Sequence, residues 1–571
     1  MTTPPRGSRL VGLCLAAGLA GCSSPPKSRP PAEPPPPSTS QHVPIGELPN
    51  IDSAAVLAHT KALSSDQFEG RAPGTTGEDL TVKYLVDHFK RAGLEPGNTN
   101  GTYVQKVPLV GMTPEPAPLI FTKDTQQQTL TWKDDVVAWT KHVAPAADLQ
   151  KSEIVFVGYG VVAPEFKWDD YKGLDVKGKT LLMLVNDPPV PDPAKPSELD
   201  PKTFGGKAMT YYGRWTYKYE IGGQKGAAAV LIVHETGPAG YPFSVVQGKT
   251  GEQFDLVTPD RNMGRATIEG WITLDQGRNL LKMAGQDFDT LKAAAAGREF
   301  KPVPLGVTAS MTIRNKLRTI DSQNVLGTLS GSDSALDDEY VVYTAHWDHF
   351  GKSPEGIFHG AEDDALGCSA LIELARAFER LPTPPRRSIL FLAVTAEEQG
   401  LLGSQYYAVT PIHPLAKTVA DINMDSWNVH GRTRDITLIG LGASELDDYV
   451  RDAAAEQGRI VKGDPEPEKG MYYRSDHFNF AKQGVPALDP DSGVEFIGKP
   501  AEYAKKVRDE WTERRYHTPK DVVLPDWDLT GTNEDLKVLF AVGYRVAQAG
   551  RMPEWKPGNE FKAKRDAMLK R

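Results

Sequence analysis

The chain has 571 residues, with 65 basic against 74 acidic side chains and a formal charge of −9. Its 39% apolar and 24% charged content excludes a disordered, collagen-like or coiled-coil protein, and its length corresponds to roughly three to four domains, or two large ones. The negative balance lacks the cationic surface that duplex nucleic acid selects, so no nucleic-acid partner is expected. The three cysteines, Cys14, Cys22 and Cys368, are too few and too scattered for a disulfide framework or a thiolate zinc site.

In chain order, Arg6 and Arg9 precede an apolar run from Leu10 to Ala20, the basic and hydrophobic regions of a secretory signal. The run is too short to span a bilayer as a stable helix. It ends Leu19-Ala20-Gly21-Cys22, which resembles the lipobox of bacterial lipoproteins. That resemblance implies a signal peptide over 1–21, lipidation of Cys22 and a membrane anchor. With Ser23 next, it places the body at the outer membrane facing the periplasm, or at the cell surface. Ser23 to Pro44 holds nine prolines among serines; without apolar periodicity it cannot offset the entropy of folding, and 22–50 reads as a tether.

Residues 51–131 are expected to form an N-terminal helical part. Ala54, Leu57 and Leu63, then Leu80, Tyr84, Leu85 and Phe89, recur at three- and four-residue steps, with Gly93 as a stop. A turn-rich break, Phe68-Glu69-Gly70-Arg71-Ala72-Pro73-Gly74, separates the two helices. From 132 to 271 the segments Glu153–Tyr159, Lys179–Leu184 and Ala228–Val233 read as strands between Gly, Pro and Asp clusters. Within that stretch Tyr171–Asn186, "YKGLDVKGKTLLMLVN", and Gly222–Glu235, "GGQKGAAAVLIVHE", resemble a protease-associated (PA) domain. The resemblance implies a β-rich insertion, joined by a connecting segment over 272–321.

From 322 to 571 strands and helices alternate: strand Tyr340–Thr344, helix Ala365–Arg380, strand Ser388–Thr395, helix Leu401–Ala408, strand Val419–Met424. In the first helix Leu371, Leu374, Ala375 and Phe378 share one buried face. The alternation predicts an α/β three-layer sandwich with a mostly parallel central sheet, whose ligand site lies beyond the carboxyl ends of the strands. Those ends carry His346 and Asp348, then Glu397 and Glu398, then Asp425. The loop "HGAEDDALG" adds Asp363 and "RYHTPKD" adds His517. Imidazole with carboxylate suits zinc first, then cobalt or manganese. Candidate ligands from five places in the chain exceed what one catalytic zinc takes, which points to two ions sharing a carboxylate.

The ordered motifs His-x-Asp, Gly-Ala-x-Asp, Glu-Glu, Asn-Met-Asp and Tyr-His-Thr-Pro resemble the two-zinc aminopeptidase family of bacterial leucyl aminopeptidases and glutamate carboxypeptidase II. The match runs over roughly Asn324 to Val546. By position the resemblance implies that Asp363 bridges two Zn2+ ions. His346 and Asp425 then complete one, and Glu398 and His517 the other. It further implies that Glu397 is the general base, that Asp348 orients His346, and that Tyr516 steadies the oxyanion. The implied activity is removal of N-terminal residues from peptide substrates. A carboxypeptidase, with Arg214, Arg474, Arg514 or Arg515 receiving a terminal carboxylate, or a one-zinc glutaminyl cyclase-like enzyme are the alternatives on this scaffold, and a metal-free surface binding protein is the alternative of another class. Asp364 stands where the family often has asparagine, and could compete with Asp363. His349 and His359 match no family ligand and are read as solvated or supporting. Ser475, Asp476 and His477 are contiguous and cannot converge as a triad. Cys368 reads as core rather than nucleophile.

Overall fold

A computed structural model of the chain describes residues 43–248, 251–425 and 427–570. The signal region and Cys22 lie outside them. The first helices form where the periodicity places them. Helix α1, Ser53–Leu63, is capped by Asp52, whose carboxylate accepts from the amides of Ala54 and Ala55. Helix α2, Thr76–Arg91, carries Glu78 and Asp79 in its first turn and His88, Lys90 and Arg91 in its last, the charge order that favours the helix dipole. It buries Val82, Leu85 and Phe89.

Past Arg91 the expected helical part ends and strands take over, a difference from the sequence reading. Strand β1 is Val104–Pro116, β2 Leu119–Lys123 and β3 Gln126–Leu130. Strand β4, Val136–Trp139, opens the inserted segment, followed by β5, Ala146–Phe156, and β6, Thr180–Leu184. Helix α3, Trp215–Gln224, precedes β7, Ala229–His234; β8, Ile268–Thr273, leads into helix α4, Leu274–Ala284. Strands β5, β6, β7 and β8 lie parallel in that order, and β4 closes the edge antiparallel to β8. Every residue of β6 and β7 is buried, as strands covered on both faces must be.

The stretch read as a connecting segment contains α4 and then β9, Val303–Leu329, a strand of 27 residues. Its first part pairs antiparallel with β5, its middle with β1, and its last residues with the strand Ser388–Val394 of the second sheet. One strand thus belongs to both sheets.

Strand β10, Tyr340–His346, is followed by helix α5, Leu366–Glu379, β11, Ser388–Val394, helix α6, Leu402–Val409, and β12, Thr418–Asn423. Strand β13, Asp435–Ile439, helix α7, Leu446–Glu456, β14, Ala487–Asp491, and helix α8, Thr530–Gln548, complete the layer. The order β11-β10-β12-β14 is parallel throughout, with β9 and β13 antiparallel at its two sides. The predicted sandwich with a mostly parallel sheet is the fold observed. Its core joins Leu371, Leu374 and Phe378 of α5 to Tyr343, Phe391 and Phe540. Cys368 is buried there as a free thiol.

Candidate metal centre

Three neighbouring parallel strands end at one level, so the residues just past them meet. His346 closes β10, Glu397 and Glu398 follow β11, and Asp425 follows β12. The loop of Asp363 enters α5 from the same end. Gly360 makes its turn at φ +53°, where a Cβ would stand 2.4 Å from the Asp363 carbonyl oxygen and 2.6 Å from the His349 ring. Only glycine fits. The Asp363–Asp364 peptide bond is cis.

All five predicted ligands converge. His346 Nε2 lies 3.0 Å from Asp363 Oδ1 and 3.6 Å from Asp425 Oδ1. His517 Nε2 lies 3.4 Å from Asp363 Oδ2 and 3.1 Å from Glu398 Oε2. Asp363 therefore presents one oxygen to each imidazole. For donors about 2.0–2.1 Å from a tetrahedral zinc, neighbouring donor atoms stand about 3.3 Å apart. The observed separations fit two such ions on either side of Asp363.

The charge of the site points the same way. Burial raises the carboxyls of Glu397 and Asp364 well above the usual range, and neighbouring carboxylates add to it. Burial likewise pushes Asp348 up to about 8. Against the penalty of burial, Glu397, Asp363 and Asp425 hold the His346 imidazole well above its ordinary value. Such a cluster of acids draws positive charge to the positions that metal ions would take.

The other predicted residues fall at the rim or behind. Glu397 is nearly buried, with Oε2 4.0 Å from His346 Nε2. Its amide donates to Asp348 Oδ1 at 3.0 Å, which sends consecutive glutamates to opposite sides of the centre. The expected contact between Asp348 and His346 is changed in detail. At 3.2 Å the acceptor nearest His346 Nδ1 is the Asp348 backbone carbonyl, and the carboxylate stands 3.8 Å away. Tyr516 is 42% exposed and stacks on His517 with ring centroids 3.7 Å apart. Asp364 accepts from the amides of His346 and Gly367, yet its carboxylate also lies within 4.8 Å of the donor atoms of His346 and Asp425. Ser475, Asp476 and His477 diverge: Ser475 Oγ donates to Asp425 Oδ2 at 2.5 Å, Asp476 accepts from Ser404, and the His477 ring is buried near Asp489.

Three contributors escaped the sequence reading. Arg71, in the turn between α1 and α2, is fully buried and donates to the carbonyls of Trp347, His359, Gly360 and Leu63. It thus ties the His346 loop to the Asp363 loop. Asp521 accepts from the amides of Glu362 and Asp363, which ties the His517 loop to the bridging carboxylate. His349, read as solvated or supporting, is not solvated: it is fully buried, with Nδ1 2.5 Å from Glu398 Oε1. His359 does behave as a rim residue, with Nε2 2.8 Å from the exposed Asp66. The turn-rich spacing around Arg71 was visible in sequence, but nothing in it announced a clamp on loops nearly 280 residues away.

The model of Peptidase family M28 matches residues 324–541. Aminopeptidase NAALADL1 of Mus musculus is 32% identical over 169 residues, 27% of this chain and 22% of that one. Aminopeptidase YwaD of Bacillus subtilis (strain 168) is 28% identical over 207 residues, 35% of this chain and 40% of that one. The chain spans about a fifth of the length of the first curated relatives it matches. Among solved structures, the aminopeptidase from Aneurinibacillus sp. strain AM-1 superposes with a TM-score of 0.48 at 19% identity, over 88% of this chain and 96% of that one. All the predicted metal-centre residues lie within residues 324–541, the stretch that the model of Peptidase family M28 matches.

Proposed function

We propose that the chain is a metal-dependent aminopeptidase that hydrolyses N-terminal residues of peptides with two zinc ions. The observation that carries this is the bridging geometry: Asp363 offers separate oxygens to His346 and His517, with Glu397 beside the pair. His346, Asp363 and Asp425 would hold one ion, and Asp363, Glu398 and His517 the other. When bound, such ions polarise a carbonyl and acidify water. Glu397 takes the proton of the attacking water and delivers it to the leaving amine, the role its near-burial beside His346 allows. The Tyr516 phenol donates toward the developing oxyanion from the solvent side. Asp348 holds the backbone of Glu397, and its carbonyl fixes the tautomer of His346.

The inserted segment is read as a PA domain shading the cleft, and the chain as a lipoprotein held through Cys22 in the cell envelope. No helix among the described residues is long and apolar enough to cross a membrane. The lipobox resemblance and the proline-rich tether support the anchor.

One observation favours the carboxypeptidase alternative. Arg514 and Arg515 are engaged, with Glu510 and with Asp521 and the Val522 carbonyl. Arg214 is buried and within electrostatic reach of Arg474, which repels it; burial first, then that repulsion, lowers it to about 10. Among the described residues neither guanidinium has a carboxylate within 4 Å, and both Nε atoms are buried without a hydrogen-bond partner. A substrate carboxylate would satisfy them.

Purified full-length protein decides between these. Aminopeptidase activity requires zinc-dependent release of the first residue from unblocked peptides and none from N-acetylated ones; release from the carboxyl end of N-acetylated peptides would overturn it. Glu397→Gln is expected to keep both metals by elemental analysis while kcat falls about 10²–10⁴-fold.

A further inference from the structure

We propose that His349 is a third imidazole ligand of the metal centre, joining Asp363, Glu398 and His517 at the second position. The inference rests on the two-metal reading above. Three features of the buried side of the site carry it.

The first is position. His349 follows β10 by three residues, its side chain is fully buried, and the donor atoms of His349, Asp363 and Glu398 lie within 4.8 Å of one another. The second is unmet polarity. Neither ring nitrogen of His349 has a hydrogen-bond partner with acceptable geometry, and Glu398 Oε1, 2.5 Å from Nδ1, has none either. A buried imidazole left so costs on the order of 1–3 kcal/mol in general, which a cation on one of its ring nitrogens removes. The third is constraint. The His349 amide donates to the Arg71 carbonyl, the ring packs edge-on against Phe350 at 5.0 Å, and Gly360 leaves the space beside it. The ring is held facing the centre.

His517 comes from the opposite side. Its ring centroid is 6.1 Å from that of His349 at 73°, its side chain is 35% exposed, and its backbone turns at φ +55°. The second position would thus have a fixed imidazole on the core side and another on a rim loop. The first has His346 with carboxylates alone. More nitrogen donors shift preference toward zinc and cobalt and away from manganese.

The test loads the metal-free full-length protein with two equivalents of Co2+ and counts the hyperfine-shifted imidazole N–H protons, one per ligated ring. Three are expected, and His349→Gln should lose one while weakening the second equivalent at least about tenfold and leaving the first within twofold. A His517→Ala variant, altered on the rim rather than in the core, gives the count independently: two resonances with His349 as a ligand, one without it. One resonance in His517→Ala, or a His349→Gln protein that keeps the full wild-type set, overturns the proposal while two bound ions leave the aminopeptidase reading standing. A wild type that binds no Co2+ overturns that reading itself.

Discussion

Both sheets of this molecule bury ionised groups beyond parallel strands, but they treat them differently. In the inserted segment Lys218 is fully buried, and its ammonium donates to the carbonyls of Tyr159 and Asn186. Nearby Asp187 accepts from the amide and hydroxyl of Thr210, and Asp170 from the amide of Val161 and the Trp168 indole. Each charge has its partners within the chain. In the sheet that holds β10 to β12, Asp348, Asp363, Asp364, Glu397, Glu398 and Asp425 meet three imidazoles and one distant guanidinium, and burial with mutual repulsion drives several carboxyls upward. The contrast separates a cluster whose charged groups are hydrogen-bonded within the chain from one whose carboxylates crowd together and would take a cation.

The largest break in that symmetry should come from chelation. Removing metal is expected to abolish peptide hydrolysis, by at least about 10³-fold, and to lower the thermal midpoint, because bound ions stabilise only the folded site. Zinc should restore both, and an unchanged midpoint in calorimetry would mean the acid cluster is balanced without metal. Arg71→Met comes next. It leaves four buried carbonyls without their donor and should cost about 3–5 kcal/mol in urea unfolding, with weaker zinc binding as well. Lys218→Met should cost about 2–5 kcal/mol but leave zinc affinity unchanged, since its partners all lie in the inserted segment. Equal effects of the two variants on zinc affinity would erase the distinction.

The smallest effect is a pH dependence. His477 is buried and held neutral, its pKa lowered to about 3 by burial. The folded value lies below the unfolded one of about 6.5, so the unfolded chain binds the proton first as pH falls. Stability from this residue is unaffected above that value and is lost between about 6.5 and 3, at about 1.4 kcal/mol per pH unit. Urea midpoints at pH 7.5 and 5.5 should differ more for the wild type than for His477→Gln.

The convergence of the candidate residues was legible because it follows a rule of chain direction. A buried strand such as Ser388–Val394 declares itself by composition, and the acids just past it are then exposed by topology to one crevice. The helix over 366–379 was equally plain, since its apolar face repeats at the helical period. Strand β9 was not. Its middle, from Arg314 to Thr319, is mostly charged or polar because it runs beside β1 and is largely exposed there, so neither alternation nor an apolar run marks it. His349 matches no ligand position of the family it resembles, and spacing alone cannot say which way a ring points after a strand ends. Arg71 acts through main-chain carbonyls, and a guanidinium that binds backbone leaves no complementary residue type to find. The arginines proposed for a terminal carboxylate could be sorted only by their neighbours.

Strand β9 also decides how the two halves can move. At about 3.3 Å per residue its 27 residues make a ribbon of about 90 Å contour. Because its hydrogen bonds are shared with β5 at one end and β11 at the other, the inserted segment has no free hinge at that junction. Opening or closing over the metal centre must therefore twist a continuous ladder instead of swinging on a loop. Such a ribbon behaves as a torsion spring: it favours small, concerted changes in cleft width, and it makes the inserted segment inseparable from the peptidase sheet without cutting through a strand that both need.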